Sequence, residues 1–517
     1  MYSRPRRVSE SAHAGAAGQH AVLHTRGHDR GHGSTRVGSG TPHGLPSAPV
    51  PPETCTMPQE PGGDALPGME DRMHRCTRGV PRRPLFYGWW MVWLGGVLSS
   101  LNKTAVNRGF PVFVAPVRES FGASNAAVAF IFALARAQSG PTGLWAGWCL
   151  DRWGPRRVLW VGALMSGGGF LALGYTTSLW AFGVLYLLVV TVGTDLGFSY
   201  ALSAVINNWF YRRKALAMSA FQAIDSVVPA GLVGVIALAI AAWGWQSTAK
   251  VMGLVLLVVI LPLAACITEA PEQRGLTMDG DPPGGAPAPP RSPDARRRRW
   301  TPPVWRPPEE YSVRQALRSW AFWNLTGGTA LRLLAKTGAT VHIIPILASK
   351  GVSEQTAAFL LGAQLFVTVP LYLLLGWAAD RFPKPPVLMG ASLAGTAAFA
   401  LLASPWQGRG LLLAYVVLFA LCDASAPTNW AVVGEYFGRQ TFSRLRGYIQ
   451  FATFPGALGA PVFLGWWYDQ HHSYTVPLWL YTGVSLVGAL TFAVLERPPT
   501  VTPVPQAPAA GRPQASP

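Results

Sequence analysis

Long apolar stretches separated by short polar turns dominate the chain from Phe86 onward. A helix needs roughly 20 apolar residues to cross a bilayer, and each stretch comes close to or exceeds that length. The pattern predicts an all-α membrane protein with twelve transmembrane helices in two six-helix sets. We predict these helices near 87–114, 124–148, 157–175, 178–206, 215–242 and 246–268, and then near 320–347, 355–379, 385–404, 410–436, 446–468 and 475–495.

Polar segments flank and divide the two sets. The N-terminal segment is rich in Gly, Pro, His, Ser and Arg without hydrophobic periodicity, which predicts disorder. A histidine-rich metal-binding tail and a later start codon are alternatives. The predicted organisation is a disordered extension at 1–84, six-helix bundles at 85–268 and 319–496, a Pro-rich cytoplasmic linker at 269–318 and a disordered tail at 497–517.

A charged turn occurs once in each half. The first copy, GWCLDRWGPRR at 147–157, follows the second apolar stretch, and a shorter copy, GWAADRF at 376–382, follows the eighth. Asp151 and Asp380 are therefore 229 positions apart. A signature repeated at this distance indicates two halves of similar structure.

Composition and charge agree with a membrane protein. Charged residues make up 13 % of the chain, against about 25 % in a typical soluble domain. The net charge of +18 does not indicate nucleic-acid binding, because Lys and Arg fall in short clusters between apolar stretches. These clusters lie on one side of the predicted topology, so the positive-inside rule makes both termini cytoplasmic. The clusters include Arg152, Arg156, Arg157, Arg212, Arg213, Lys214, Arg381, Lys384, Arg439, Arg444, Arg446 and Arg497.

The twelve-helix pattern and the charged turn resemble the major facilitator superfamily over about 86–496. The first turn fits the family motif Gly-x-x-x-Asp-Arg-x-Gly-Arg-Arg, except that Pro155 precedes its last two arginines. Shorter motifs resemble the bacterial monocarboxylate and oxalate/formate branch: YGWW at 87–90, AFW at 321–323, VHIIP at 341–345, EYFG at 435–438 and GWWYD at 465–469. The resemblance implies a secondary transporter with two pseudo-symmetric halves that works by alternating access.

Eight ionisable side chains inside the predicted helices are candidates for function. Each costs roughly 2.5–3.5 kcal/mol on insertion scales, so each needs a partner or a function. The cations are Lys103, Arg108, Arg136, Arg332 and Lys336, and the acids are Asp195, Asp225 and Asp423. Internal pairing would leave positive charge unmatched, which predicts a bound organic anion.

The repeat distance also relates polar residues of helices 1 and 7. Lys103 and Arg332 are 229 positions apart, as are Asn107 and Lys336. Residues four positions apart share a helix face, and in facilitator folds these two helices line the central cavity. We therefore predict Lys103, Asn107, Arg108, Arg332 and Lys336 as substrate ligands, because guanidinium and ammonium groups bind carboxylates.

These assignments have structural alternatives. Lys103 and Arg108 could snorkel to the outer surface, and the two helix-7 cations could be ion-paired with Asp195 or Asp423. Two interpretations remain open for a further set, either coupling-proton carriers or buried ion pairs: Arg136, Asp195, Asp225 and Asp423.

The resemblance affects the site assignments. A lysine late in helix 1 of monocarboxylate transporters aligns with Asn107 or Arg108, so Arg108 looks like its replacement. The helix-8 acid and arginine of that group would fall near Leu365 and Val369 and are absent here. Gln364 and Gln450 stand in the helices where the oxalate/formate exchanger carries an arginine and a lysine. The substrate and the coupling ion therefore stay open.

The charged turns are predicted to form an inner gate. We expect Asp151 to face the N-terminal end of a neighbouring helix and the turn's arginines to lie at the cytoplasmic surface, with a weaker contribution from the second turn. The predicted gate residues are Gly147, Asp151, Arg152, Arg156, Arg157, Asp380 and Arg381.

Together these features predict a transporter and not an enzyme. We expect a monomeric secondary transporter of a small organic anion, foremost a monocarboxylate, coupled to protons in the cytoplasmic membrane of a bacterium. Anion exchange, drug or metabolite efflux, and a non-transporting membrane sensor are the alternatives. The five scattered cysteines show no metal-ligand or disulfide spacing, so the expected partners are the anion, a proton or counter-anion and the bilayer, with neither cofactor nor nucleic acid.

Overall fold

A computed structural model of the protein describes residues 86–498, except 125–126, 129, 132–133, 136–137, 228, 281–309 and 406–407. The predicted extension at 1–84, most of the predicted linker, the tail from 499 onward and the candidate Arg136 lie outside the described residues. The described residues are organised as helices. Helices satisfy every backbone group internally, which a bilayer requires.

The first half contains spans 1 to 6. Span 1 consists of helix Tyr87–Lys103, a π-helical turn Thr104–Arg108 and helix Phe110–Phe121; span 2 ends with Ser139–Trp153, span 3 is Pro155–Leu173 and span 4 is Leu179–Trp209. Span 5 begins with Lys214–Val227 and continues into helix Pro229–Ala265. Gly244 within that helix has φ 75°, a conformation that favours glycine, and there the chain turns into span 6.

The second half contains spans 7 to 12. A short helix, Val313–Arg318, precedes it, with Ser312 and Gln315 forming a capping box at its start. Span 7 is Trp320–Val341 followed by Ile343–Ala348, span 8 is Glu354–Arg381, span 9 is Lys384–Ala403, span 10 is Arg409–Ala424 with Ala426–Tyr436, span 11 is Phe442–His471 and span 12 is Thr475–Ala493.

The spans differ in how apolar they are. Six helical stretches of the described residues are long and apolar enough to cross a membrane by themselves: Leu179–Trp209, Lys214–Ala265, Gln355–Arg381, Lys384–Ala403, Gly410–Tyr436 and Thr475–Ala493. Spans 1, 2, 3, 7 and 11 are not among them, and of these five, spans 1, 7 and 11 carry Lys103, Lys336 and Arg446 in turn. Polar residues inside a membrane protein face the bundle interior or a cavity, so these three spans point to the functional site.

The halves meet at the end that carries the two charged turns, which we call the cytoplasmic end. A Cβ added at Gly447 of span 11 would lie 2.2 Å from the carbonyl oxygen of Gly143 in span 2. A Cβ added at Gly376 of span 8 would lie 2.7 Å from the side chain of Ser219 in span 5. Small residues at both seams let helices of opposite halves touch, so the protein is closed at this end.

Three cations that the sequence placed in cytoplasmic loops lie within helices instead. Lys214, 1 % exposed, donates hydrogen bonds to Asn207 Oδ1 at 2.8 Å and to the Gly434 carbonyl of the opposite half at 2.9 Å. Lys384, 5 % exposed, lies 2.6 Å from the Glu435 carboxylate. Arg446 borders a cavity between the halves. Lys214 and Lys384 are the first residues of spans 5 and 9, and partners brought by tertiary packing offset their burial.

Candidate functional site

A buried ion pair joins spans 1 and 5. Lys103 Nζ lies 3.3 Å from Asp225 Oδ2, and Gln222 Nε2 donates to the same oxygen at 3.1 Å. Asp225 is 4 % exposed, and its Oδ1 has no hydrogen-bond partner among the described residues. The pair forms where the first helix of span 1 passes into the π-helical turn Thr104–Arg108. Such turns are frequent at functional sites because they redirect side chains.

A second ion pair joins spans 7 and 10. Lys336 is bonded to Asp423, which is one of the pairings that the sequence left open. Its two side chains are 31 % and 16 % exposed, against 19 % and 4 % for Lys103 and Asp225. The second pair is therefore the more accessible to a solute.

Arg332 lies one helical turn before Lys336 and has neutral partners. Its Nη1 donates to the Cys422 carbonyl at 3.4 Å and to the Ser425 hydroxyl. Span 10 is interrupted at Ser425, between its two helices, and this break provides both acceptors. Arg332 is buried at 9 % exposure, and the dipoles of these two neutral oxygen acceptors stabilise its positive charge.

Arg108 ends the π-helical turn and is partly exposed. Its guanidinium makes no hydrogen bond or ion pair with the residues that the structure describes. It is close enough to the Tyr372 hydroxyl to act on it electrostatically, as are Asp225 and Asp423. The structure thus gathers Arg108 and both paired acids around span 8.

Asn107 precedes Arg108 in the same turn and is likewise partly exposed. Asp195 begins another π-helical turn, Asp195–Ala201 in span 4. Lys103 and Arg446 are the cations that act on the Asp195 carboxylate. Asp195 therefore lies beside the Lys103 pair, and not beside Arg332 or Lys336.

A cavity of about 60 Å³ lies between the halves, and Lys103 of the ion pair with Asp225 is one of its lining residues. Its polar lining combines Lys103, Ser203 and Gln222 of the first half with Trp430 and Arg446 of the second. Two cations, an amide and hydroxyls are groups that hold a small anionic or polar solute.

Sequence reasoning missed Arg446 and Tyr372. Arg446 was assigned to a basic loop, although it precedes Gln450 by one helical turn and shares its face. That polar pair in span 11 was the available signal. Tyr372 carried no such signal, because one tyrosine in an apolar helix is more often a packing residue.

The gate residues connect the two halves at the cytoplasmic end. Asp380 accepts the backbone N–H groups of Ala215 at 3.0 Å and Leu216 at 2.9 Å, in the first turn of span 5. Asp151 is bonded to Arg444, in the first turn of span 11. A Cβ at Gly147 would lie 2.8 Å from the Arg444 Cα, so span 2 also contacts that turn directly.

The arginines of the turns behave differently from the aspartates. Arg156 stays within its own half, where it donates to the Ala265 carbonyl at 3.1 Å and, through its backbone N–H, to Glu269 Oε1 at 3.0 Å. Arg152 and Arg381 lie over the rings of Trp148 and Trp377, and they are exposed, as is Arg157. The aspartate of the second turn, Asp380, binds backbone donors directly, whereas Asp151 of the first turn binds a side chain, and the relative strength of the two contacts stays a prediction.

The described ends of the linker are hydrogen-bonded to equivalent loops of the two halves. Asp279 Oδ2 accepts the backbone N–H groups of Tyr211 and Arg212. Glu310 accepts those of Arg439 and Gln440, which are 228 positions further along. Glu272 also pairs with Arg439 at 2.8 Å. Partial burial alone would raise the pKa of Glu272, but the hydrogen bonds from Arg439 hold it below its usual value.

Comparison with known proteins places this architecture. The family model of the Major Facilitator Superfamily matches residues 92–341 and 325–516. Human monocarboxylate transporter 11 is 25 % identical over 82 % of this chain and 88 % of its own. The uncharacterized MFS-type transporter YcxA of Bacillus subtilis is 25 % identical over 34 % of this chain, which spans only 43 % of that relative. The oxalate:formate antiporter of Oxalobacter formigenes is 28 % identical over 25 % of this chain and 30 % of its own.

Solved structures agree on the fold. The outward conformation of the transporter FucP matches with a TM-score of 0.59 at 14 % identity, over 80 % of this chain and 97 % of its own. The predicted all-α fold of twelve spans in two halves is therefore confirmed. The chain belongs to the major facilitator superfamily, with similarity to its monocarboxylate and oxalate/formate transporters.

Proposed function

We propose that this transporter moves a small organic anion, foremost a monocarboxylate, by proton-coupled alternating access across the cytoplasmic membrane of a bacterium. The observation that carries the proposal is the position of Arg108. It is a cation of span 1 whose guanidinium has no partner among the described residues, and its charge acts on the Tyr372 hydroxyl of the opposite half, as do those of Asp225 and Asp423.

The charge balance of the site supports an anionic substrate. The described spans carry five cations at the site, Lys103, Arg108, Arg332, Lys336 and Arg446, against three acids, Asp195, Asp225 and Asp423. Two positive charges are in excess when all eight groups are ionised. The relatives named monocarboxylate transporter 11 and oxalate:formate antiporter point to the same substrate class.

The ion pairs suggest how a proton is coupled. A carboxylate that binds Arg108 would compete with Asp423 for the accessible Lys336. An acid in a low-dielectric site that loses its cation favours the neutral form. We infer that Asp423 or Asp225 then takes up a proton, and that the substrate and proton cross together as the contacts of Asp151 and Asp380 open.

Uptake into proteoliposomes tests the proposal. Labelled lactate, pyruvate, formate and oxalate are offered with and without an inward proton gradient. We expect one of the monocarboxylates to accumulate with the gradient. Uptake that needs internal anion and ignores the gradient would identify exchange instead. If none of the four is carried, the organic-anion proposal is wrong.

Substitution of Arg108 tests the site. Loss of a charged hydrogen bond costs about 1.5–3 kcal/mol, so Arg108→Gln should lower kcat/KM roughly tenfold or more. Arg108→Lys should keep part of the activity. Arg213→Gln, in the exposed turn between spans 4 and 5, is the matched control and should transport normally. Normal transport by Arg108→Gln would contradict the assignment.

A further inference from the structure

Arg446 lies in a position that the proposed site leaves unexplained. It is the fifth residue of span 11, next to Gly447 at the tight contact with span 2. Its Nη1 donates to the Ser199 carbonyl at 2.9 Å, in the π-helical turn of span 4. This bond joins opposite halves immediately beside the cavity.

Two aromatic rings flank the Arg446 guanidinium, and one of its N–H donors lacks an acceptor among the described residues. Its centre lies 4.9 Å from the Tyr200 ring and 4.7 Å from the Trp430 ring, a geometry that orients the planar group. Its Nε is buried without a hydrogen-bond partner among the described residues. A buried donor without an acceptor costs free energy, so the closed protein holds this donor ready for another acceptor.

Opening of the cytoplasmic end would change these contacts in a defined way. Ser199 and Tyr200 belong to the first half, whereas Trp430 and Arg446 belong to the second. Separation of the halves removes the Ser199 carbonyl from Nη1 and leaves Arg446 on Trp430, facing the cavity. A guanidinium with free donors forms paired hydrogen bonds with a carboxylate.

We propose that Arg446 binds the carboxylate of the transported anion in the state that is open to the cytoplasm, and so serves as its ligand on the cytoplasmic side of the Lys103–Asp225 pair. The inference rests on the proposed function, because it takes a carboxylate as substrate. It assigns different cations to different states, with Arg108 acting when the cytoplasmic end is closed and Arg446 when it is open. The Trp430 ring would pack against the substrate's apolar part.

Sided kinetics test this assignment. The measurement is zero-trans transport of labelled substrate in oriented proteoliposomes, with the carboxylate found for the wild type, and the readout is the ratio of KM at the cytoplasmic face to KM at the opposite face. Arg446→Gln should raise this ratio roughly tenfold or more, since it removes charged hydrogen bonds in one state only. Arg446→Lys, which keeps the charge but not the paired geometry, should raise it less.

The outcomes separate the two proposals. An unchanged ratio in Arg446→Gln, whether both KM values rise equally or neither changes, overturns the role of Arg446 while carboxylate transport by the wild type stands. If the wild type carries no carboxylate, the proposed function itself fails. Should Arg446→Gln not reach the membrane, the ratio in Arg446→Lys decides, and an unchanged value there overturns the inference. Arg213→Gln should keep the wild-type ratio.

Discussion

The Asp380 carboxylate of span 8 accepts the backbone N–H of Ala215, the second residue of span 5, at 3.0 Å. An acid of the second half thereby caps a helix of the first half, at the positive end of its dipole. Asp151 pairs with Arg444 of span 11, and Arg444 lies 229 positions after Ala215, the same spacing as between the two aspartates. The gate thus repeats with the pseudo-symmetry of the fold. Asp380 accepts hydrogen bonds from backbone N–H donors, whereas Asp151 pairs with a side chain.

Asp380→Ala should loosen the start of span 5. Loss of a helix cap to alanine costs about 0.5–2 kcal/mol, so amide exchange at Ala215 and Leu216 should accelerate by a corresponding factor. Hydrogen-exchange mass spectrometry of the peptide that starts at Lys214 measures it. Asp151→Ala is the matched control, with its effect at the start of span 11. Equal protection of the span 5 peptide in wild type and Asp380→Ala would contradict the capping role.

Exchanging the charges of Asp151 and Arg444 between the two positions should preserve their ion pair. Because the Arg444 side chain is 45 % exposed, the pair is worth no more than about 1 kcal/mol of stability. Its main effect should be on the balance between open and closed states. Asp151→Arg and Arg444→Asp should each reduce the transport rate, and the double variant should recover most of it. Uptake rates of all four proteins form the double-mutant cycle; additive losses would show that the pair does not couple the halves.

Asp225→Asn should separate transport from proton coupling. The amide keeps the shape of the side chain and can still accept from Gln222, but it cannot take up a proton. We expect loss of gradient-driven accumulation with substrate counterflow retained, measured in the same proteoliposomes. Asp423→Asn is the matched comparison, and the variant that loses accumulation identifies the proton carrier. Accumulation that survives in both variants would exclude these acids from coupling.

The Glu272–Arg439 pair predicts a small acid-sensitive contribution to stability. The pKa of Glu272 is lower in the folded protein than its usual value, so the pair stabilises the fold above the unfolded-state pKa and this contribution is lost as the pH falls through the folded-state pKa. The Glu272 side chain is 56 % exposed, so its contribution should stay below about 1 kcal/mol and weaken with salt. Thermal unfolding of Glu272→Gln should therefore differ from wild type at neutral pH and converge with it in acid. A constant difference across pH would contradict this account.

Deletion of residues 1–80 tests the alternative of a membrane sensor. None of the proposed site residues has a number below 81, so the shortened transporter should keep wild-type KM and turnover in proteoliposomes. Western blotting of the membrane fraction controls for expression. If the deletion abolished a cellular output while the full-length protein carried no substrate, the sensor interpretation would replace transport.

The sequence by itself determined the spans and the duplication. Helix ends such as Trp209, Arg381 and Tyr436 fall within a few residues of the hydropathy boundaries. The physical reason is that a bilayer leaves the backbone no alternative to helices, so apolar length along the chain decides where they run. The spacing of Asp151 and Asp380 identified the equivalent gate positions as well, because the repeat distance can be read from the sequence without a structure.

Only the tertiary structure decided which charges meet. Lys103 and Arg332 occupy equivalent positions, yet Lys103 pairs with Asp225 while Arg332 donates to the Cys422 carbonyl and the Ser425 hydroxyl. Arg446 looked like a loop cation and instead borders the cavity. Hydropathy records how polar a segment is and not which way its side chains face across two bundles. The rotation of each helix, and with it the pairing of buried charge, is set by packing between spans distant in sequence.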